Sequence, residues 1–306
     1  MMDHISVCVC TYRRPDMLAQ LLKALACQQS SDAFTYSIVV IDNDATGSAS
    51  EVVKGFQDET SIRVQYSIEA VRGIPVARNR AISEAGGNLV AFIDDDELPN
   101  RDWLDRLFAT MREYRVAGVL GPVKPHFLTT PPEWVLKSRL FERSIKTGTV
   151  LTWRDTRTGN VLLRRDLFAD TDNLFNPDIG HGEDKDFFRR MIEKGHSFVW
   201  CDEATVYEIE PPERCRRSYF LRRALVRGSY YVARATNRPL QVTKSAFTLG
   251  VYCAALPMLS LFGQPLLMKS LIKICESLGC LIGACGLRLE HEFSRRRAQS
   301  PGGGSN

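Results

Sequence analysis

The sequence predicts an α/β fold, a mainly parallel sheet with helices on both faces, followed by a helical C-terminal region. Between Ile5 and Cys201, short aliphatic runs alternate with segments whose apolar residues recur at helical spacing, the pattern of a sheet covered on both sides. The first strand ends are polar: Thr11-Tyr12, Asp42, and Asp94 to Asp96. Parallel strands bring such ends to one edge, and open α/β sheets bind ligands there. Beyond residue 212 the chain turns strongly basic and then apolar.

Taken in order, Ile5 to Cys10 is a first strand, broken by Thr11-Tyr12-Arg13-Arg14-Pro15. Met17, Leu18, Leu21, Leu22 and Leu25 then mark a helix over Asp16 to Cys27. Ser37 to Asp42 is a second strand and Val64 to Ile68 a third. Ile74 to Ala85 is a helix stopped by Gly86-Gly87. Leu89 to Ile93 is a strand with no charge, as burial on both faces requires. Asn100 is the expected N-cap of a helix carrying Trp103, Leu104, Leu107, Phe108 and Met111. The second half is less regular: strands at Ala117 to Val123, Val161 to Leu163 and Ser197 to Cys201, loops over 124–146 and 170–182, and a helix over Glu183 to Glu193.

Asp94, Asp95, Asp96 and Glu97 follow the buried strand directly. Four adjacent carboxylates repel one another and raise one another's pKa values. A hard divalent cation removes that cost, and Asp94-x-Asp96 could hold one that bridges to a diphosphate. Taken alone, the run fits a solvated acidic turn before a helix equally well. Neither a GxGxxG fingerprint nor a P-loop pattern occurs, which argues against a classical dinucleotide or P-loop fold.

The 306 residues suffice for one large α/β domain or two ordinary ones. The net charge of +4 is mild, with acidic clusters near 94–105 and 183–186 and basic ones at 214–238 and 295–297. No basic stripe interleaved with aromatics is present, so no nucleic-acid partner is expected. The nine cysteines contain no CxxC pair and are expected to be free, buried thiols in a reducing compartment. The N-terminus lacks a basic region followed by a long apolar run, so no signal peptide is expected. Residues 246–268 carry no charge and could cross a bilayer, but Pro257, Gly263 and Pro265 interrupt them. A helical hairpin in or on the membrane is therefore favoured over a single span, with a core-packed hairpin as the alternative. The tail SPGGGSN should be disordered.

Six motifs in order resemble the family 2 glycosyltransferases, inverting nucleotide-sugar enzymes of GT-A fold: ISVCVCTYRRP, VVIDN, GIPVARNRAI, FIDDDELP, TGNVLLRR and GHGEDKDFFRRMIEKG. The resemblance runs from Ile5 to about Gly228, and the YE…PPERC…RR ending is similar to the bacterial branch typified by the succinoglycan glucosyltransferases. It implies a catalytic domain over 1–212, with a nucleotide half at 1–98 and an acceptor half at 99–212. A basic helical segment (213–240), apolar membrane-associated helices (241–290) and the tail (291–306) would follow. Thr11, Tyr12 and Asp42 would hold the uridine, with Arg14, Arg78, Asn79, Asp94 and Asp95 also on the nucleotide sugar. Asp96 would ligate Mn²⁺ or Mg²⁺ on the diphosphate. Asp184 would be the base that deprotonates the acceptor hydroxyl, and Glu183, Gly159 and Asn160 would meet the acceptor.

Each of these residues also has a plainer role. Arg78 could be a solvated helix charge. Glu183 and Asp184 could be first-turn acids contributing ~0.3 kcal/mol to their helix. Many relatives carry a histidine after the base helix as a metal ligand; this chain has Val206-Tyr207-Glu208 there, so Glu208 or no protein group would serve, and His181 and His196 fit structural roles. The arginines of 214–238 suit a lipid pyrophosphate or simply anionic lipid.

The resemblance thus implies a transferase moving a hexose, glucose for this branch, from a UDP-sugar to a lipid-linked saccharide at the inner face of the cytoplasmic membrane. A metal-dependent nucleotidyltransferase is disfavoured because TYRRPDML has no glycine-rich loop. A catalytically inactive sugar-nucleotide-binding scaffold is disfavoured by the intact DDDE and ED elements.

Overall fold

The computed structural model describes residues 2–30, 32–179, 182–233, 237–287 and 289. These fall into two compact units: Met1–His126 with Phe141–Ile209, and Phe127–Leu140 with the chain from Glu210 onward. Residues 127–140 thus group with the C-terminal helices. His181, Arg234 and the tail 291–306, for which expectations were stated above, lie outside the described residues.

In the first unit, β1 (Asp3–Thr11) leads into α1 (Pro15–Ala26), and β2 (Phe34–Asp42) into α2 (Ser50–Glu59). Then come β3 (Val64–Ile68), α3 (Ile74–Glu84), β4 (Leu89–Phe92), β5 (Glu97–Pro99), α4 (Trp103–Tyr114), β6 (Gly118–Leu120) and β7 (Val123–Phe127). After α5 (Glu133–Ser138), which belongs to the second unit, the first resumes with β8 (Val161–Arg164), α6 (Glu183–Glu193), β9 (Phe198–Trp200) and β10 (Val206–Glu210).

Seven strands form one sheet in the order β3-β2-β1-β4-β8-β6-β9. It is parallel except at β8, which runs antiparallel to both β4 and β6. The register pairs Thr11 with Asp42 and Cys8 with Phe92, so the three polar strand ends do share one edge. One face packs on the leucines of α1 and on Trp103 and Leu107 of α4. The other packs on Ala77, Ala81 and Ile82 of α3 and on a set of phenylalanines around α6. Burial on both faces explains why β1, β2 and β4 are aliphatic runs without alternation.

Several elements differ from the sequence expectation. Helix α2 was not predicted, because only Val53 and Phe56 of its residues are buried, too thin a stripe to show a period. The acidic run is followed by a strand: β5 pairs antiparallel with β10 in a small second sheet ordered β5-β10-β7. The cap of α4 is Asp102, not Asn100, whose carbonyl instead accepts from Trp103 N–H (3.1 Å). Three cysteines, Cys27, Cys253 and Cys285, are exposed rather than buried, although all nine are free thiols.

The second unit contains α5, α7 (Arg217–Ala233), α8 (Arg238–Ser260) and α9 (Gln264–Ala284). Helices α7 and α9 touch backbone to backbone: a Cβ on Gly279 would lie 2.0 Å from Leu225 O, so only glycine permits that crossing. Trp134 of α5 meets Phe220 of α7 edge-on, with 5.7 Å between centroids. The apolar stretch is a hairpin whose break falls at residues 261–263, with Gly263 at φ +95°; Pro257 is accommodated inside α8. By length and composition α8 could cross a membrane, and only 6% of its most apolar window is buried.

Phe187 of α6 is fully buried and stacks on Phe168 (5.1 Å between centroids) and Phe175 (4.8 Å), which fixes the helix against the sheet. Phe187→Ala should therefore lower unfolding free energy by about 3–5 kcal/mol, the usual range for a buried aromatic, as read by denaturant titration. A loss below about 1 kcal/mol would show that α6 is held by something else.

Candidate active site

At the carboxyl end of β1, Thr11 Oγ1 donates to Asp95 Oδ2 (2.8 Å). Arg14, just ahead of α1, reaches the same place from the other side, with Nη1 2.9 Å from Asp95 Oδ1 and 2.8 Å from Asp96 Oδ2. One guanidinium thus partly offsets two carboxylates. Tyr12 lies beside them with the guanidinium of Arg72 4.6 Å from its ring centroid and that of Arg13 5.3 Å away. Arg13 also pairs with Asp44, 2.9 Å from Nε to Oδ2, and that pairing holds the Asp44 carboxyl below its ordinary range.

The four acids after β4 are not equivalent. Asp95, Asp96 and Glu97 are buried, whereas half of the Asp94 side-chain surface is open. The Asp94 carboxyl nevertheless sits low among protein atoms. Burial first, then Asp96 and Asp95, raise it to about 6 against the pull of Arg78. Burial likewise raises Asp95, opposed by Arg14. Glu97 lies well above the usual carboxylate range through burial and then Asp94, with Arg157 opposing and Glu208 adding to the rise. The β5–β10 register explains the last effect, since Glu208 stands directly opposite Glu97. Gly159 gives these acids room: a Cβ there would lie 2.7 Å from Glu97 Oε1 and 3.2 Å from Asp94 Oδ2.

The opposite wall is the start of α6. Glu183 is buried, and its Oε1 accepts from Arg78 Nη1 at 2.7 Å; Arg78 Nη2 is 3.7 Å from Asp94 Oδ1. Arg78 is itself buried on α3, with its guanidinium 5.7 Å from the Phe175 ring centroid. Asp186 pairs with Arg189 (3.2 Å) and Arg190 (2.8 Å) along the helix. Asp184 accepts from the Lys185 backbone N–H (2.7 Å) and makes no ion pair among the described residues.

The structure therefore brings together Thr11, Tyr12, Arg14, Arg78, Asp94, Asp95, Asp96, Gly159 and Glu183 by a chain of direct contacts or short gaps, with Asp184 on the same helix start. Three further residues expected at the site have their polar groups engaged within the fold. Asp42 is 0% exposed: Oδ2 accepts from Ala49 N–H (2.7 Å) and Tyr66 Oη (3.0 Å), and Oδ1 from Asp44 N–H (3.0 Å). It holds the β2–α2 turn and offers a ligand no surface. Asn160 is also 0% exposed; its amide accepts from Trp103 Nε1 (2.7 Å) and donates to Pro122 O and Ala204 O, so it pins three segments rather than meeting an acceptor. Asn79 exchanges two hydrogen bonds with the Phe175 backbone (2.8 and 3.0 Å), which fixes the loop before α6.

Sequence reasoning passed over Arg157, whose charge faces Glu97 and whose Nε is buried without a hydrogen-bond partner. Its place two residues ahead of Gly159 is the one available signal. The backbone N–H of His196 donates to Met191 O (3.0 Å) at the end of α6. Burial pushes the thiol of Cys10, beside the acids, up to about 12.

A divalent cation suits this donor set. Four carboxyls are crowded together, and the two raised most, Asp94 and Glu97, lie beside Gly159. Among the described residues no three of His, Cys, Asp and Glu form a closed cage. That agrees with Mg²⁺-type binding through one or two carboxylates, the remaining positions going to phosphate and water.

The chain matches the profile of Glycosyl transferase family 2 over residues 6–171. It is similar to Succinoglycan biosynthesis protein ExoM of Rhizobium meliloti, 31% identical over 309 residues, with 97% of this chain and 98% of that one covered. It is more distantly similar to Poly(ribitol-phosphate) beta-N-acetylglucosaminyltransferase TarS of Staphylococcus aureus, 26% identical, with 67% and 35% covered. Among solved structures, TarS 1-349 in complex with UDP-GlcNAc superposes with a TM-score of 0.55 at 18% identity, covering 98% of this chain and 93% of that one. Mannosyltransferase PcManGT from Pyrobaculum calidifontis, in complex with GDP-Man and Mn²⁺, superposes with a TM-score of 0.64 at 18% identity, covering 92% and 87%. The fold is that of the GT-A glycosyltransferases.

The raised Asp94 carboxyl has a thermodynamic sign. Its charged form is disfavoured in the fold, so its contribution to stability is complete below the usual 3.8 and is lost as pH rises through about 6. In EDTA, the protein should lose on the order of 1 kcal/mol of stability between pH 5 and 7 from this group, after allowance for its open half. Asp94→Asn should remove that slope, and Mn²⁺ should stabilise the wild type more at pH 7 than at pH 5. Thermal melts across pH check this; a slope unchanged by Asp94→Asn would refute it.

Proposed function

We propose that this chain, which belongs to glycosyl transferase family 2, moves a hexose from a UDP-sugar with inversion onto a lipid-linked saccharide during exopolysaccharide synthesis. The observation that carries the reading is the division of labour at the start of α6. Glu183 and Asp186 are committed to arginines, while Asp184 makes no ion pair among the described residues, at a helix N-terminus tied to the acidic strand end through Arg78.

Inversion requires attack on the anomeric carbon from the face opposite the leaving UDP. Asp184 takes the proton of the acceptor hydroxyl as that oxygen forms the new glycosidic bond and the bond to UDP breaks. The helix N-terminus favours negative charge at this position, and one backbone N–H orients Asp184 through Oδ1. Glu183, held by Arg78, forms the wall against which the acceptor lies. Tyr12 offers its ring to the uracil, and Asp94 offers its open carboxylate to the ribose or sugar. Arg14, already paired with Asp95 and Asp96, lies within reach of the diphosphate. Asp96 would hold Mn²⁺ or Mg²⁺, with Asp94 or Glu208 beside it; when bound, the ion neutralises charge on the departing diphosphate.

The membrane reading rests on the second unit. Phe247, Met258, Leu261 and Phe262 of the α8 segment and its turn are exposed, and α7 displays Arg217, Arg222, Arg223 and Arg227. Apolar side chains at the end of a hairpin beside exposed arginines suit an anionic cytoplasmic leaflet. Free thiols throughout agree with a reducing compartment. Glucose is the hexose to test first, on the resemblance to the succinoglycan branch, with UDP-GlcNAc as competitor.

Titration calorimetry of the detergent-purified chain should show UDP binding that needs both Mn²⁺ and Asp96, lost in Asp96→Asn. Asp184→Asn should bind UDP within about twofold of wild type while transfer falls by at least about 10³-fold, the loss expected when a base is removed. Silence with UDP, GDP, CDP and dTDP alike would overturn the transferase and leave a scaffold. Retained transfer in Asp184→Asn would move the base elsewhere.

A further inference from the structure

Asn160 is spent inside the fold, so an acceptor must be held by other side chains around Asp184. One loop reaches that helix start directly. Lys185, the residue after Asp184, donates from Nζ to the carbonyl of Arg154 at 3.0 Å. The contact docks the turn at 152–156 beside the proposed base, with both in the first unit.

The turn is braced by its own side chains. Asp155 Oδ2 accepts from the Thr152 backbone N–H (3.2 Å) and from Thr152 Oγ1 (2.6 Å), and the Asp155 N–H donates to Thr152 O (2.9 Å). Thr156 Oγ1 donates to Trp153 O (2.8 Å), and Arg143 Nη1 donates to Asp155 O (2.5 Å). Local bonds of this kind fix a turn without a sheet to lean on. Its tip carries Trp153 and Arg154, with the guanidinium 4.4 Å from the indole ring centroid. Trp153 is the exception among the four tryptophans. Trp103 and Trp200 are 0% exposed and Trp134 is 8% exposed, whereas Trp153 keeps part of its surface open and joins neither core cluster of the sheet. An indole held partly in water forgoes burial that would favour the fold, and aromatic side chains beside a few polar groups are what ligand surfaces are made of.

We propose that Trp153 is the platform on which the saccharide acceptor stacks. The inference rests on the transferase reading above and adds to it the residue that sets acceptor affinity. A pyranose ring has an apolar C–H face and a rim of hydroxyls. The indole complements the face, and the neighbouring Arg154 guanidinium, a donor only, complements hydroxyl oxygens on the rim. The turn meets α6 at the far end of the Lys185 side chain, so Trp153 is set back from Asp184. It therefore takes the sugar next to the one whose hydroxyl is deprotonated, and an acceptor of at least two sugars engages both places.

Because the other three tryptophans are buried, acrylamide quenching of the full chain's fluorescence reports on Trp153. Cellobiose, a β-linked disaccharide of the kind an inverting transfer builds, should protect the wild type from quenching in a saturable way, with or without UDP and Mn²⁺. In transfer from UDP-glucose to octyl β-cellobioside, Trp153→Ala should raise the acceptor KM about tenfold, with kcat and UDP affinity within about twofold of wild type. Trp153→Phe should recover most of that loss, and both variants should melt with the wild type. A purely structural Trp153 would instead lower kcat and the melting temperature together. The quenching arm needs no turnover, so it decides even where octyl β-cellobioside is a poor acceptor. Cellobiose protection without UDP binding would strike the donor reading and leave the saccharide platform standing. No saturable protection by cellobiose, or an acceptor KM unchanged in Trp153→Ala, overturns the inference.

Discussion

The geometry of the site depends on one buried guanidinium. Arg78 projects from α3, its Nη1 is 2.7 Å from Glu183 at the start of α6, and its Nη2 is 3.7 Å from Asp94 after β4. These three elements are distant in sequence, and the guanidinium links them at the site itself, in addition to the packing of Phe187 that holds α6 against the sheet. Burying an ion pair gains little net stability, but removing one partner leaves an uncompensated charge at a cost of about 3–5 kcal/mol. The arrangement is therefore better understood as a spacer than as a source of stability. It holds the donor-side carboxylate and the base helix at one separation. The Asn79–Phe175 hydrogen bonds, one residue along α3, repeat the constraint on the loop that delivers α6.

The acidic strand end follows from the same logic. A parallel sheet needs its β4 strand apolar to the last residue, so all polar function is displaced past Phe92 into the turn. There, Arg14 and Thr11 satisfy Asp95 and part of Asp96, while Asp94 and Glu97 remain costly. The protein retains that cost at one place, where a cation and a diphosphate can relieve it. Gly159 is required because the acids already fill the space that a side chain would use.

Most of the layer architecture was legible from the residues. Strands β1, β2 and β4 are buried on both faces and so read as unbroken aliphatic runs; α1 and α6 carry broad apolar stripes. What escaped was set by partners rather than by period. Helix α2 buries two side chains, and β5 and β10 are short strands defined by pairing within the three-stranded sheet β5-β10-β7. The site divides the same way. That the acids and Arg78 lie close together could be anticipated, because motif and chemistry pointed to the same strand ends. Asp42 and Asn160 sat at the right positions, but their oxygens and amide are consumed internally, and only coordinates reveal whether a polar side chain faces a cleft or its own backbone.

At the carboxyl edge of the sheet the acids are buried, mutually raised and bridged by arginines, so their charge is conditional on pH and on what else is bound. Within the proposed donor site, the aromatic face of Tyr12, flanked by Arg72, offers a contact that only an anion carrying a base can use.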